Sequence, residues 1–248
     1  MGTIIIIMRQ QFRYLIKSPV TLMILIFAPV FLIFIMGQSM YALFESDPGM
    51  PGAMDYLGIT ILTMGVMLGG FIPAWLILND GKYKTAIRLE ISPVSMTNVY
   101  IGKFASSFLI LVLLSMIIML ICGLVLSINY GTDIVLLFLP VASLAFFSTS
   151  LGSLVAVTFR NEKAANGLLN TFFPLLIFLG GGYFKLPDEG FLKDISIISP
   201  VRWANLALTD LANSGANEKI GPAILVSVVP GIVFVLLAVL RVNRGRKI

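Results

Sequence analysis

Histidine is absent from this 248-residue chain, cysteine occurs once, and only 12% of the residues are charged. Each shortage excludes a class of chemistry. Without histidine there is no Ser–His–Asp triad. With Cys122 alone there is no intrachain disulfide, no CxxC pair and no Cys/His cluster that would hold a metal. Phosphate-binding loops are missing too. "GKY" at Gly81 and "GKF" at Gly102 lack the upstream glycine and the following hydroxyl residue of a P-loop. The charge content is about half that of a soluble domain.

Hydrocarbon fills the place of charge: 58% of the residues are hydrophobic. Several uncharged runs reach about 20 residues, enough for a helix to cross a ~30 Å hydrocarbon core. The short alternating strands of a membrane barrel do not occur. The sequence therefore predicts an all-α membrane protein, with residues 1–248 forming one transmembrane domain. Six spans are expected: Val20–Tyr41, Leu57–Asn79, Ala105–Ile128, Ile134–Phe159, Asn166–Phe184 and Pro222–Leu240. None contains Asp, Glu, Lys or Arg, so a buried proton relay or carboxylate ion site is not expected.

The remaining cations report orientation. Arg9, Arg13 and Lys17 recur at helical spacing opposite Met8, Phe12, Leu15 and Ile16. That pattern fits an N-terminal helix lying in the membrane interface; the other reading is a plain cytosolic extension of the first span. No small-residue cleavage site follows the apolar start, so it is not a removable signal. With the N-terminus inside, the inner segments carry Arg9, Arg13, Lys17, Lys82, Lys84, Arg88, Lys103, Arg160, Lys163, Arg241, Arg244, Arg246 and Lys247, thirteen of the 17 cations. Nine of the 12 acids fall outside. Both termini are thus expected in the cytoplasm. The net charge of +5 then reflects topology, and nucleic acid is not an expected partner.

Two loops stand out. The longest outer loop, Lys185–Gly221, carries Phe191, Leu192, Ile195, Ile197 and Ile198, then Trp203, Leu206, Ala207 and Leu211, with Pro200 between the groups. Two short re-entrant or amphipathic helices at the outer leaflet are expected there, against the alternative of a solvated loop. Just before it, Pro174 and "LGGG" at Leu179–Gly182 predict a break at the end of span five. Small residues also recur four apart, as Gly65 and Gly69 and as Ser148, Gly152 and Ala156. Such spacing allows close helix approach, either within one subunit or between two. The second notable loop is inner. "KTAIRLEISPVSMTNVYIGK" follows span two, where a mere topology signal would not need a Pro-Val-Ser turn.

These features resemble the permease subunits of type-2 ABC transporters, a group of drug, antibiotic, lipid and polysaccharide exporters. The resemblance spans nearly the whole chain. Thr85, Leu89, Pro93, Val94, Ser95, Gly102 and Lys103 match a "GT-x-x-x-L-x-x-x-P-V-S…GK" pattern, Pro174 and Gly181 match "P-L-L-x-x-S-G", and Pro200 matches a proline in the last outer loop. Lys84 stands where the family has Gly, Gly180 where it has Ser, Lys185 where Pro is common, and Asp210 near a position often held by Arg.

The resemblance implies an exporter subunit for an amphipathic drug, antibiotic, peptide or lipid in a bacterial cytoplasmic membrane. It implies two copies of a separate ABC ATPase and a second permease chain, identical or related. This chain would be non-catalytic and hold no cofactor, with ATP and Mg on the partner. A short coupling helix would seat in the ATPase through Thr85, Ile87, Arg88, Leu89, Glu90, Ile91, Pro93, Val94 and Ser95. Gly181, Gly182, Phe191, Ile195, Pro200 and Trp203 would form the outer gate or loop. The rival reading is a membrane immunity or sensor protein that sequesters an antibiotic or lipid without turnover.

Overall fold

The computed structural model describes residues 2–16, 19–44, 52–82, 95–131, 133–159, 161–184 and 189–244. These residues form helices and connecting turns, with no strand among them. In chain order the helices are α1 (Gly2–Ile16), α2 (Pro19–Phe44), α3 (Ala53–Leu68), α4 (Phe71–Lys82), α5 (Met96–Val125), α6 (Ile134–Thr158), α7 (Glu162–Leu179), α8 (Phe191–Ser196), α9 (Pro200–Asn213) and α10 (Ile220–Arg244). Four stretches among the described residues are long and apolar enough to cross a membrane: Met54–Asn79, Met96–Val125, Val135–Thr158 and Ile220–Arg244. The shorter Ile26–Ser39 is also apolar.

Helix α6 is the central post. Its small and hydroxyl residues Ser148, Thr149, Ser150, Gly152 and Ser153 are all buried. Each hydroxyl has an acceptor close at hand. Thr149 Oγ1 donates to Ala145 O (2.7 Å), Ser150 Oγ to Phe146 O (2.5 Å) and Ser153 Oγ to Ser150 O (3.0 Å). A span can therefore carry several hydroxyls without leaving them unsatisfied, as burial in a low-dielectric interior demands.

The second predicted span is not one straight rod. It breaks between α3 and α4 at Gly69–Gly70. Pro73 explains the position. It has no N–H to give the carbonyl four residues back, and Ile72 N–H takes Gly69 O instead (3.0 Å). Gly70 N turns to Met67 O (3.3 Å), and Ser148 Oγ reaches across from α6 to Val66 O (2.9 Å). A neighbouring hydroxyl thus repairs the ladder at the kink, as membrane helices allow. The kink also lets the backbones touch. A Cβ on Gly152 would land on Gly70 O, and one on Gly70 would meet the Ser148 backbone. The Ser148–Gly152 stripe therefore packs within the subunit.

Helix α5 begins at Met96, well before the predicted Ala105. Ser95 caps it, its hydroxyl accepting from Asn98 N (3.3 Å). The extension corrects one reading. Lys103, counted as a loop cation, lies on the helix, 6% exposed, and its Nζ donates to Leu76 O of α4 (2.5 Å). Helix α1 packs against this end of α5, where Ile7 sits over Gly102. Thr97 Oγ1 bonds Asn243 Oδ1 of α10 at 2.6 Å. The start of α5, the end of α10 and α1 thus share one end of the bundle. The other end gathers the start of α3, the α5–α6 turn and α9. There Asn129 N donates to Asp55 Oδ1 (2.8 Å) and Asn129 Nδ2 to Ala212 O (3.0 Å). Tyr130 is buried in the same turn, and burial pushes its phenol above the usual range.

Candidate functional site

The predicted outer-loop residues fall around the end of α7. This helix starts at an Asn161 cap, whose side chain accepts from Lys163 N (2.9 Å). It stops after Leu179 because three glycines allow a tight reversal. Gly181 adopts φ +73°, Gly182 N donates to Ile177 O (2.9 Å) and Gly181 N to Phe178 O (3.1 Å). This is a Schellman-type stop, and the left-handed position suits glycine. The predicted break is therefore a helix end, five residues before the predicted limit at Phe184.

Helix α9 packs on that stop. Its buried face consists of Pro200, Val201, Ala204, Asn205, Ala207, Leu208 and Leu211. Pro200 occupies the first turn, where a missing N–H costs nothing. A Cβ on Gly180 would collide with Val201 at 2.5 Å, so the glycine sets how close the two helices come. Polar ties complete the joint. Asn205 Nδ2 donates to Gly180 O (3.0 Å), and the Thr63 hydroxyl of α3 donates to Asn205 Oδ1 (2.5 Å). Ser199 Oγ donates to Leu176 O (2.7 Å), and Tyr56 OH to Gly181 O (3.3 Å).

Helix α8 is held by its neighbour. Arg202 Nη1 donates to Lys193 O (2.6 Å) and bonds Ser196 Oγ, while Trp203 Nε1 donates to Ile197 O (2.9 Å). Among the expected gate residues, Gly181, Gly182, Pro200 and Trp203 thus meet at one joint. Phe191 stands apart, 76% exposed, and Ile195 is half-buried. Lys219 Nζ pairs with Asp210 Oδ2 at 3.0 Å, tying the end of α9 to the start of α10.

Of the expected coupling residues, only Ser95 is described, as the cap of α5. Thr85, Ile87, Arg88, Leu89, Glu90, Ile91, Pro93 and Val94 lie outside the described residues. Lys103 joins the two helices that lead into that stretch. Three further residues escaped the sequence reading. Asn205 is a polar position inside an apolar stripe, a pattern visible in "WANLAL". Thr63 and Tyr56 lie on α3, far from the loop in sequence, and only the fold brings them to it.

Helix α7, unlike α6 before it, exposes polar residues away from its ends, beside the exposed Phe172 and Leu175. Ala165, Leu169, Phe173 and Ile177 are buried, while Gly167, Asn170 and Thr171 are exposed near mid-helix. The family model for the ABC-2 type transporter matches residues 3–211. The chain belongs to the ABC-2 type transporter family. It is thus the transmembrane component of an ABC transporter, and this ABC-2 chain works with an ABC ATPase. No curated protein matches it. The match takes in the α3–α4 kink, α7 and nearly all of α9, and α10 lies beyond it.

Proposed function

We propose that this chain is the permease subunit of an ATP-driven exporter in a bacterial cytoplasmic membrane, and that its cargo is an amphipathic drug, antibiotic, peptide or lipid. The observation that carries the proposal is the exposed face of α7. Asn170 at mid-helix would be costly against hydrocarbon. A water-filled pathway, shared with a second permease chain, removes that cost. On this reading α2 and α7 complete six crossings, and both termini and residues 83–94 face the cytoplasm. The joint of α7 with α9 is the outer gate.

The chain performs no catalysis. ATP and Mg bind two partner ATPase subunits, and their closure pushes on the coupling stretch Thr85–Ser95. Lys103, bonded across to α4, links the two helices flanking that stretch. The test is co-purification of the permease with its ATPase, followed by ATP hydrolysis and transport in vesicles over a panel of amphipathic compounds. Leu89→Asp should insert normally yet lose the ATPase and all transport, because losing an interface anchor costs about 2 kcal/mol or more. Full ATPase retention and transport by that variant would refute the coupling role.

A further inference from the structure

A cavity of about 430 Å³ opens between α2, α3 and α5. Its origin can be read residue by residue. Helices α2 and α3 are in close contact at one end, where Gly37 faces the Met54 side chain. Further along, Ala28 and Pro29 of α2 line the cavity opposite Gly65 of α3. A Cβ on Gly65 would meet nothing within 4 Å, whereas one on Gly69, a turn away, would collide with Leu111. The spacing of two glycines that looked like a contact stripe therefore yields one contact and one open space.

Three observations define the occupant. Among the described residues the walls are hydrocarbon: the one lining hydroxyl, Ser115 Oγ, donates to Leu111 O of its own helix (2.8 Å). None of these described lining residues could hold a headgroup, a charge or a sugar. The depth is also specific. Residues Leu111–Ile118 lie in the middle of α5, and Ala28–Leu32 in the middle of α2. In a bilayer with a ~30 Å core, that is the level where acyl chains end. Finally, the size suits a chain. An apolar cavity of about 150 Å³ takes a benzene ring, so this one takes far more carbon than a single inserted side chain supplies. Its rim, at Leu32 and Leu68, is 51% and 39% exposed.

We propose that this cavity is a lipid-tail site, which holds the terminal part of one acyl chain of a membrane phospholipid while the headgroup stays at the interface. This site follows from the cavity alone and does not depend on the direction of transport. It sits against the α3–α4 kink, through Gly69, Phe71 and Ile72, so the tail supports the one break in that span.

The test fills the open space. Gly65→Trp adds a side chain where there is room, and Gly221→Trp adds the same side chain on α10, where a Cβ also meets nothing. The probe is phosphatidylglycerol spin-labelled near the chain terminus or near the headgroup, added at low ratio to the detergent-purified chain. We expect wild type and G221W to show an immobile component with the terminal label and none with the headgroup label. G65W should lose that component. Native mass spectrometry should show a retained phospholipid in the first two and none in G65W. If G65W expresses poorly, G65L against G221L reads the same comparison. Equal immobile components in all variants would overturn the proposal. So would dissociation of a dimer by G65W in light scattering, which would make the cavity a seat for a second copy.

Discussion

Helices α6 and α7 follow one another in the chain, yet they use polar residues in opposite ways. In α6 the hydroxyls of Ser148, Thr149, Ser150 and Ser153 are buried and bonded to carbonyls of α6 itself or of α3. In α7 the polar residues Asn170 and Thr171 face outward, and the inward stripe is Ala165, Leu169, Phe173 and Ile177. A polar residue in α6 means close packing. In α7 the Thr171 hydroxyl also bonds back to its own helix, at Gly167 O (3.0 Å), and it is the exposed Asn170 amide that hydrocarbon would not satisfy. Mean hydropathy already sets α6 above α7, but only the face on which each polar residue lies tells a packed hydroxyl from an exposed amide.

The largest effect is expected where α6 is most enclosed. Gly152→Val would place a branched side chain on the backbone of Gly70. Overpacking typically costs about 1–3 kcal/mol and more where backbone must move. Size-exclusion chromatography of the variant in detergent should show loss of the monodisperse peak, with Gly152→Ala intermediate. A stable G152V would mean that α4 and α6 can separate freely and that α6 is no central post.

The next effect lies at the anchor of α7. Asn205→Leu removes the donor to Gly180 O, a buried carbonyl, while the Thr63 hydroxyl keeps Thr60 O (2.9 Å) as its acceptor. An unsatisfied buried partner costs about 1–3 kcal/mol. The thermal midpoint should fall, and Thr63→Val combined with N205L should cost less than the two single losses together. Additive losses would show that the Thr63–Asn205 bond does not act as a unit.

Much of this was legible in sequence because membrane helices advertise themselves by length and apolarity. The Pro200 division, the glycine stop of α7 and the amphipathic pair α8 and α9 followed from residues whose backbone chemistry is local. The α3–α4 kink was less visible. Pro73 marked a weakness, but its exact repair needed Ser148 from another helix. Lys103 was misjudged because the helix start was set by hydropathy, while the Ser95 cap sets it nine residues or more earlier. Asn205 and Thr63 are 142 residues apart in the chain, and no local pattern joins them.

The smallest effect on stability, and the most telling for function, belongs to the exposed face of α7. Leu169 and Asn170 are neighbours in sequence, about 100° apart around the helix, the first 1% exposed and the second open. Asn170→Leu removes no buried contact, so the thermal midpoint should move little, within about 0.5 kcal/mol. Leu169→Asn buries an amide without a partner and should be clearly destabilising. Transport separates the possible surroundings of that face. If it lines a watery pathway or meets a second permease chain, N170L should keep its fold and its ATPase while transport falls severalfold. If it faces lipid, the same change exchanges an ill-suited amide for hydrocarbon, so stability in bilayers should rise and transport stay unchanged. The second outcome would remove the observation on which the pathway assignment rests.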